Sequence, residues 1–174
     1  MTTSTAETTH VLRRGSFETL DVFGPTVEFL TAPESADIPH CMMIGTIPPG
    51  ISVPLHSHAD VESFYVLSGQ LQALIQHGDR LEWLGVRSGD FIQVPSGARH
   101  AFRNQSTEPV IEVITTTPKL GRFFQEIGRP VIQGVPLPPP TPDNIRRFLE
   151  IAARYGYWNA TPAENAAAGI SLFQ

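Results

Sequence analysis

From Val11 to about Thr116 the chain is built of short apolar runs broken by glycine, proline and polar turns. That punctuation leaves room for strands and for little else, so it predicts an all-β domain. Candidate strands are Val27 to Leu30, Cys41 to Ile47, Glu62 to Leu67, Leu71 to Gln76, Arg80 to Leu84, Phe91 to Val94, His100 to Arg103 and Val110 to Thr115. Two links read as hairpin turns, one at Ser68, Gly69 and Gln70, the other at His77, Gly78 and Asp79. At 174 residues the chain fits one domain with room for an appendage, and its 41% hydrophobic content is enough for a core.

Two segments of this β region carry chemistry. Gly50 to Gly69 read GISVPLHSHADVESFYVLSG, and Gly89 to Asn104 read GDFIQVPSGARHAFRN. Residues two apart on a strand project to the same face, so His56 and His58 point together. Glu62 shares their parity if the chain turns and continues without a bulge. His100 follows the turn residues Pro95, Ser96 and Gly97, which aim a short strand back into the sheet. Three imidazoles and one carboxylate then face a single point. This nitrogen and oxygen set suits one divalent transition ion (iron, manganese, cobalt, nickel, copper or zinc) better than calcium or magnesium. Four protein ligands on an octahedral ion leave two positions for a substrate or dioxygen. His10, His40 and His77 fall outside the pattern.

The same segments resemble the cupin family. The first matches its Gly, five residues, His, one, His, three, Glu, six, Gly pattern at Gly50, His56, His58, Glu62 and Gly69. The second matches Gly, five, Pro, one, Gly, two, His, three, Asn at Gly89, Pro95, Gly97, His100 and Asn104. The short linker between them resembles that of compact single-domain cupins of the cupin 2 conserved-barrel, quercetinase-like type. The resemblance implies a double-stranded β-helix, a jelly-roll barrel of six to eight strands, with the metal in its lumen. It also implies that Glu62 acts both as ligand and as the base that accepts a substrate proton; a pure ligand role is the alternative.

Strand parity places Phe64, Val66 and Phe102 beside the ligands as pocket residues, in a mostly apolar lumen. Such a wall suits a small hydrophobic or aromatic substrate. Three functions remain open. The first is a metal-dependent dioxygenase acting on a hydroxylated or enolic substrate. The second is a non-oxidative isomerase, cyclase, decarboxylase or lyase, and the third a non-catalytic binding module.

A net charge of −5 and a pI near 5.6 argue against nucleic acid or an anionic membrane as partner. No window approaches the roughly 20 apolar residues of a membrane span. The start, MTTSTAETTH, has no hydrophobic stretch and does not read as a secretory signal. The single cysteine, Cys41, fits a buried strand position and a reducing cytoplasm.

Residues 1–10 are expected to be a flexible polar tail, 11–118 the barrel, and 119–174 a C-terminal extension. In that extension, Val135 to Asp143 contain five prolines and read as an extended strap. A helix follows, with Thr141 or Asp143 at its start, Gly156 at its end, and Ile145, Phe148, Leu149 and Ala152 at helical spacing. Thr161, Pro162 and Glu164 start a second helix through a capping box. The extension is expected to pack on its own barrel or on the partner in a homodimer.

Overall fold

The computed structural model describes Val11, Arg13 and residues 18–34, 38–132, 134–135 and 138–171; the tail expected over 1–10, with His10, lies outside them. Ten strands come first. They are β1 (Thr19–Asp21), β2 (Thr26–Phe29), β3 (Cys41–Ile47), β4 (Ser52–Ser57), β5 (Glu62–Ser68), β6 (Gln70–His77), β7 (Arg80–Arg87), β8 (Phe91–Val94), β9 (His100–Arg103) and β10 (Val110–Thr116). Then follow α1 (Pro118–Ile127), β11 (Arg129–Pro130), α2 (Pro142–Tyr155), β12 (Trp158–Asn159) and α3 (Pro162–Ala167). All strand pairs are antiparallel, in two sheets ordered β11-β1-β2-β3-β10-β5-β8 and β12-β4-β9-β6-β7. The fold is the expected all-β double-stranded β-helix. The described strands exceed six to eight because short pieces such as β1, β11 and β12 extend the sheet edges.

Alternation decides what fills the space between the sheets. β3 and β10 are buried at every second residue. Cross-strand register stacks these positions in rows: Cys41, Thr116, Glu62 and Val94, then Met43, Ile114, Phe64 and Ile92, then Gly45, Glu112 and Val66. With Leu71, Ala73 and Phe102 from the second sheet they form the main core.

One of the two expected hairpins is not one. His77, Gly78 and Asp79 do join the paired strands β6 and β7, with Gly78 at φ +62°. Ser68 to Gln70, however, is a corner: β5 belongs to the first sheet and β6 to the second. Winding the chain between two sheets puts a crossing where local sequence reads as a tight turn. Gly69 makes it at φ +84°, and a Cβ there would come 2.7 Å from the Pro109 carbonyl oxygen.

The extension packs on the barrel. β11 pairs with β1, and β12 with β4. Thr117 caps α1 by accepting from the Leu120 N–H, a helix the strand reading passed over although Leu120, Phe123, Phe124 and Ile127 recur at helical spacing. Thr141 and Gly156 bound α2, and Thr161 with Glu164 forms the capping box of α3, as expected. Leu149 is exposed; Ile151 takes the buried place with Ala152, because α2 docks against α1 along the face that also presents Phe148 and Tyr155. Within the proline-rich strap, 136 and 137 lie outside the described residues, 138–140 have no regular structure, and the Pro138 carbonyl accepts from Arg129.

Candidate metal centre

Strand β4 opens with a bulge. Val53 faces Phe102 and His56 faces His100, so three steps on β4 match two on β9. Proline has no N–H to give a ladder, and the interruption falls at Pro54, whose carbonyl instead takes a bond from His56 Nδ1 at 2.8 Å. The bulge turns Val53 and His56 both toward the lumen and leaves Leu55 buried on the outer face with Leu74, Ala101 and Ile170. It lies before the ligands; the chain then leaves β4 after Ser57, and Glu62 opens β5 in the other sheet, so the candidate ligands meet across two sheets and not along one continued strand.

His58 follows β4 directly, and its carbonyl accepts from the Gly97 N–H at 2.8 Å, which ties the Pro95–Gly97 turn to the ligand strand. Gly97 makes that turn at φ +78°. His100 then begins β9 directly opposite His56. Asn104, fully buried, donates from Nδ2 to the carbonyls of Ile47 and Glu108 and secures the end of the segment.

The structure brings His56, His58 and His100 together, with one ligand nitrogen from each within 4.8 Å of the others. Metal–imidazole bonds are roughly 2.1 Å, so small ring movements would let one ion reach all three. Glu62 Oε2 lies 3.3 Å from His58 Nε2 and 3.5 Å from His100 Nε2. The decisive detail is on the other side of each ring. His56, His58 and His100 each direct Nδ1 at a backbone carbonyl, of Pro54 at 2.8 Å, Asp60 at 2.8 Å and Ala98 at 3.0 Å. A carbonyl only accepts, so each Nδ1 carries the proton and each Nε2 lone pair faces the common point. His100 Nε2 is buried without a hydrogen-bond partner, the 3.5 Å contact with Glu62 being too long for one. An orphaned buried nitrogen aimed at a carboxylate and two further imidazoles fits a divalent ion.

Ionisation favours the metal-binding form for His56 and Glu62, but not for His58 without an ion in place. Burial and the rings of His100 and His58 shift His56 downward, toward the neutral form that binds metal. Burial alone would raise Glu62, but its contacts with His100 and His58 outweigh that and hold the carboxyl down to about 2. For His58 burial works downward, and bonding to the Glu62 carboxylate reverses it to a net rise.

Phe64, Val66 and Phe102 are all buried; the Phe64 and Phe102 rings meet edge to face at 4.9 Å, and Phe102 lies 5.8 Å from the His100 ring. His40 and His77 are exposed. Strand reasoning missed Asp60, Thr117 and Tyr157, which surround His58 from behind. No local signal marks them, since Tyr157 reaches Asp60 across 97 positions.

Residues 43–115 match the family model described as Cupin domain. A curated relative, quercetin 2,3-dioxygenase of Bacillus subtilis strain 168, is 31% identical over 107 residues. Residues 43–115 of the chain thus carry a cupin domain. The match to that dioxygenase covers 60% of this chain but only 30% of the enzyme's length. Solved structures with the same fold include a predicted oxalate decarboxylase from Thermotoga maritima, with TM-score 0.55 and 19% identity over 62% of this chain and 98% of that one. The polyketide cyclase RemF from Streptomyces resistomycificus aligns with TM-score 0.54 and 18% identity over 64% and 80% of the two chains. At these identities the solved structures bear on the fold alone. Among the described residues no helix is long and apolar enough to cross a membrane.

Proposed function

We propose that this cupin is a metal-dependent dioxygenase acting on a small hydrophobic or aromatic hydroxylated substrate. The observation that carries the reading is the set of three Nδ1-anchored imidazoles whose Nε2 atoms converge beside an ionised, buried carboxylate. The likeness to quercetin 2,3-dioxygenase supports the choice of reaction. A divalent transition ion held by His56, His58, His100 and Glu62 would supply Lewis-acid and redox chemistry.

The remaining work falls to the chain. Glu62 accepts the proton of a substrate hydroxyl at Oε2, which makes the substrate an electron-rich anion. Phe64, Val66 and Phe102 exclude water and favour an aromatic ring over a polar ligand. A homodimer accompanies this reading, supported by exposed Tyr65 and Phe91, which face one another on neighbouring strands, and by Leu67.

The test is oxygen consumption when flavonols, catechols or enediols are added to protein loaded in turn with iron, manganese, nickel and cobalt. Absence of uptake with all four ions would refute the dioxygenase reading. Turnover of the same compounds under strict anaerobiosis would assign the site to non-oxidative chemistry instead.

A further inference from the structure

Asp60 is buried, and both ends of the residue are engaged. Its Oδ1 accepts from the Thr117 hydroxyl at the head of α1, and its Oδ2 from the Tyr157 hydroxyl at 2.6 Å. Lys119 Nζ stands 3.9 Å from Oδ2 and 5.1 Å above the Tyr157 ring. The Asp60 backbone carbonyl is the acceptor that holds His58 Nδ1 at 2.8 Å. Tyr157 completes the enclosure, its ring centroid 5.4 Å from that of His58.

The residues after Tyr157 brace the neighbouring ligand. Trp158 and Asn159 pair with Ser57 and His56. The Ala160 N–H donates to the Leu55 carbonyl at 2.9 Å, and Asn165 Oδ1 accepts from the Leu55 N–H at 2.9 Å. One stretch of the extension therefore touches the supports of two imidazoles.

We propose that residues 157–165 are a positioning element of the metal centre, in which Tyr157, acting through Asp60, sets the orientation of the His58 imidazole. The inference rests on the metal-site reading above and extends it to a segment outside the matched domain, which ends at 115. The physical case starts with the loop. Residues 58–61 join β4 to β5 outside any strand ladder; Gly97 holds the His58 carbonyl and Thr116 the Val61 carbonyl, and between these two points the contacts of the Asp60 side chain help to place its own carbonyl. A buried carboxylate needs its hydrogen bonds, and losing one donor leaves it free to seek another. The ring torsion of histidine is broad, so an imidazole without a fixed carbonyl can swing its Nε2 away from the common point. Thr117 also caps α1, whereas the Tyr157 hydroxyl serves Asp60. That makes Tyr157 the cleaner handle.

Tyr157→Phe removes one hydroxyl and keeps the ring against Phe123, whose centroid is 4.9 Å away. Cobalt(II) is the probe, titrated against a competing chelator and followed by its visible absorption. The expected result is a fall of about 10-fold or more in cobalt affinity with an altered visible spectrum and an unchanged circular dichroism. Phe148→Ala, which loosens α2 against Phe23 and Phe123, controls for stability alone: it lowers the melting temperature and leaves the cobalt spectrum as in the wild type. Should Tyr157→Phe fail to fold, Asp60→Asn is read in its place and shows the same altered spectrum. Wild-type affinity and spectrum in Tyr157→Phe would overturn the positioning role while the metal site stands. So would the same spectral change in Phe148→Ala. A wild-type protein that binds no cobalt would overturn the metal-site reading and this inference with it.

Discussion

Glu112 is a buried carboxyl in the barrel core, two rows below Glu62, and its Oε2 has no hydrogen-bond partner. Gly45 lies opposite and makes the room: a Cβ there would come 3.2 Å from Glu112 Cγ and 3.3 Å from Oε1. Burial, with the charge of Glu62 adding to it, pushes the Glu112 carboxyl up from 4.5 to about 8. A carboxyl raised in the folded state holds a proton there that the unfolded chain has already released. Stability is therefore fully present below about pH 4.5 and is lost as pH rises through about 8. Each pH unit in that window is worth about 1.4 kcal/mol, so the interval from 4.5 to 7 costs roughly 3 kcal/mol.

Glu112→Gln removes the proton linkage while keeping the shape. In metal-free protein, urea unfolding at pH 5, 7 and 8.5 should show the wild type losing several kcal/mol relative to the variant across the series, of the order of the linkage above. The shifted His56 and His58 give both proteins a common slope, so the difference between the two curves grows toward high pH. The glutamine amide brings its own unmet donors, which is why the pH slope and not the absolute stability is the quantity to compare. Parallel curves for the two proteins from pH 5 to 8.5 would refute the reasoning.

His58→Ala should abolish stoichiometric metal retention by elemental analysis, while circular dichroism still reports a β-sheet protein, because the core beneath the site is largely apolar. Gly69→Ala should destabilise by about 1–3 kcal/mol in urea melts, from the left-handed backbone and the approach to the Pro109 carbonyl. Cys41, buried and pushed up to about 11 by burial, should react with a thiol reagent only as fast as the protein opens, so the labelling rate should rise with urea.

Elements governed by short-range rules could be read directly from the chain. The hairpin at Gly78 follows from turn chemistry, and the two helices of the extension follow from Thr141, Gly156 and the Thr161 to Glu164 box. The candidate ligand types were legible too, from residue chemistry and turn signals, although the structure draws them from β4 and the residue after it, from β5 and from β9. The segment at Gly69 looks the same locally as a hairpin, and only the division of β5 and β6 between two sheets makes it a corner.

The amino-acid sequence by itself determined which side chains could hold a metal ion and that strands would present them, because periodicity and turn preference act over a few residues. Tertiary structure decided the rest. It set His100 against His56, stranded the Glu112 carboxyl below Glu62, and brought the Tyr157 hydroxyl to Asp60 behind His58. Those outcomes depend on which strands pair, what is withdrawn from water and where a distant segment docks, and these are properties of the whole chain packed together.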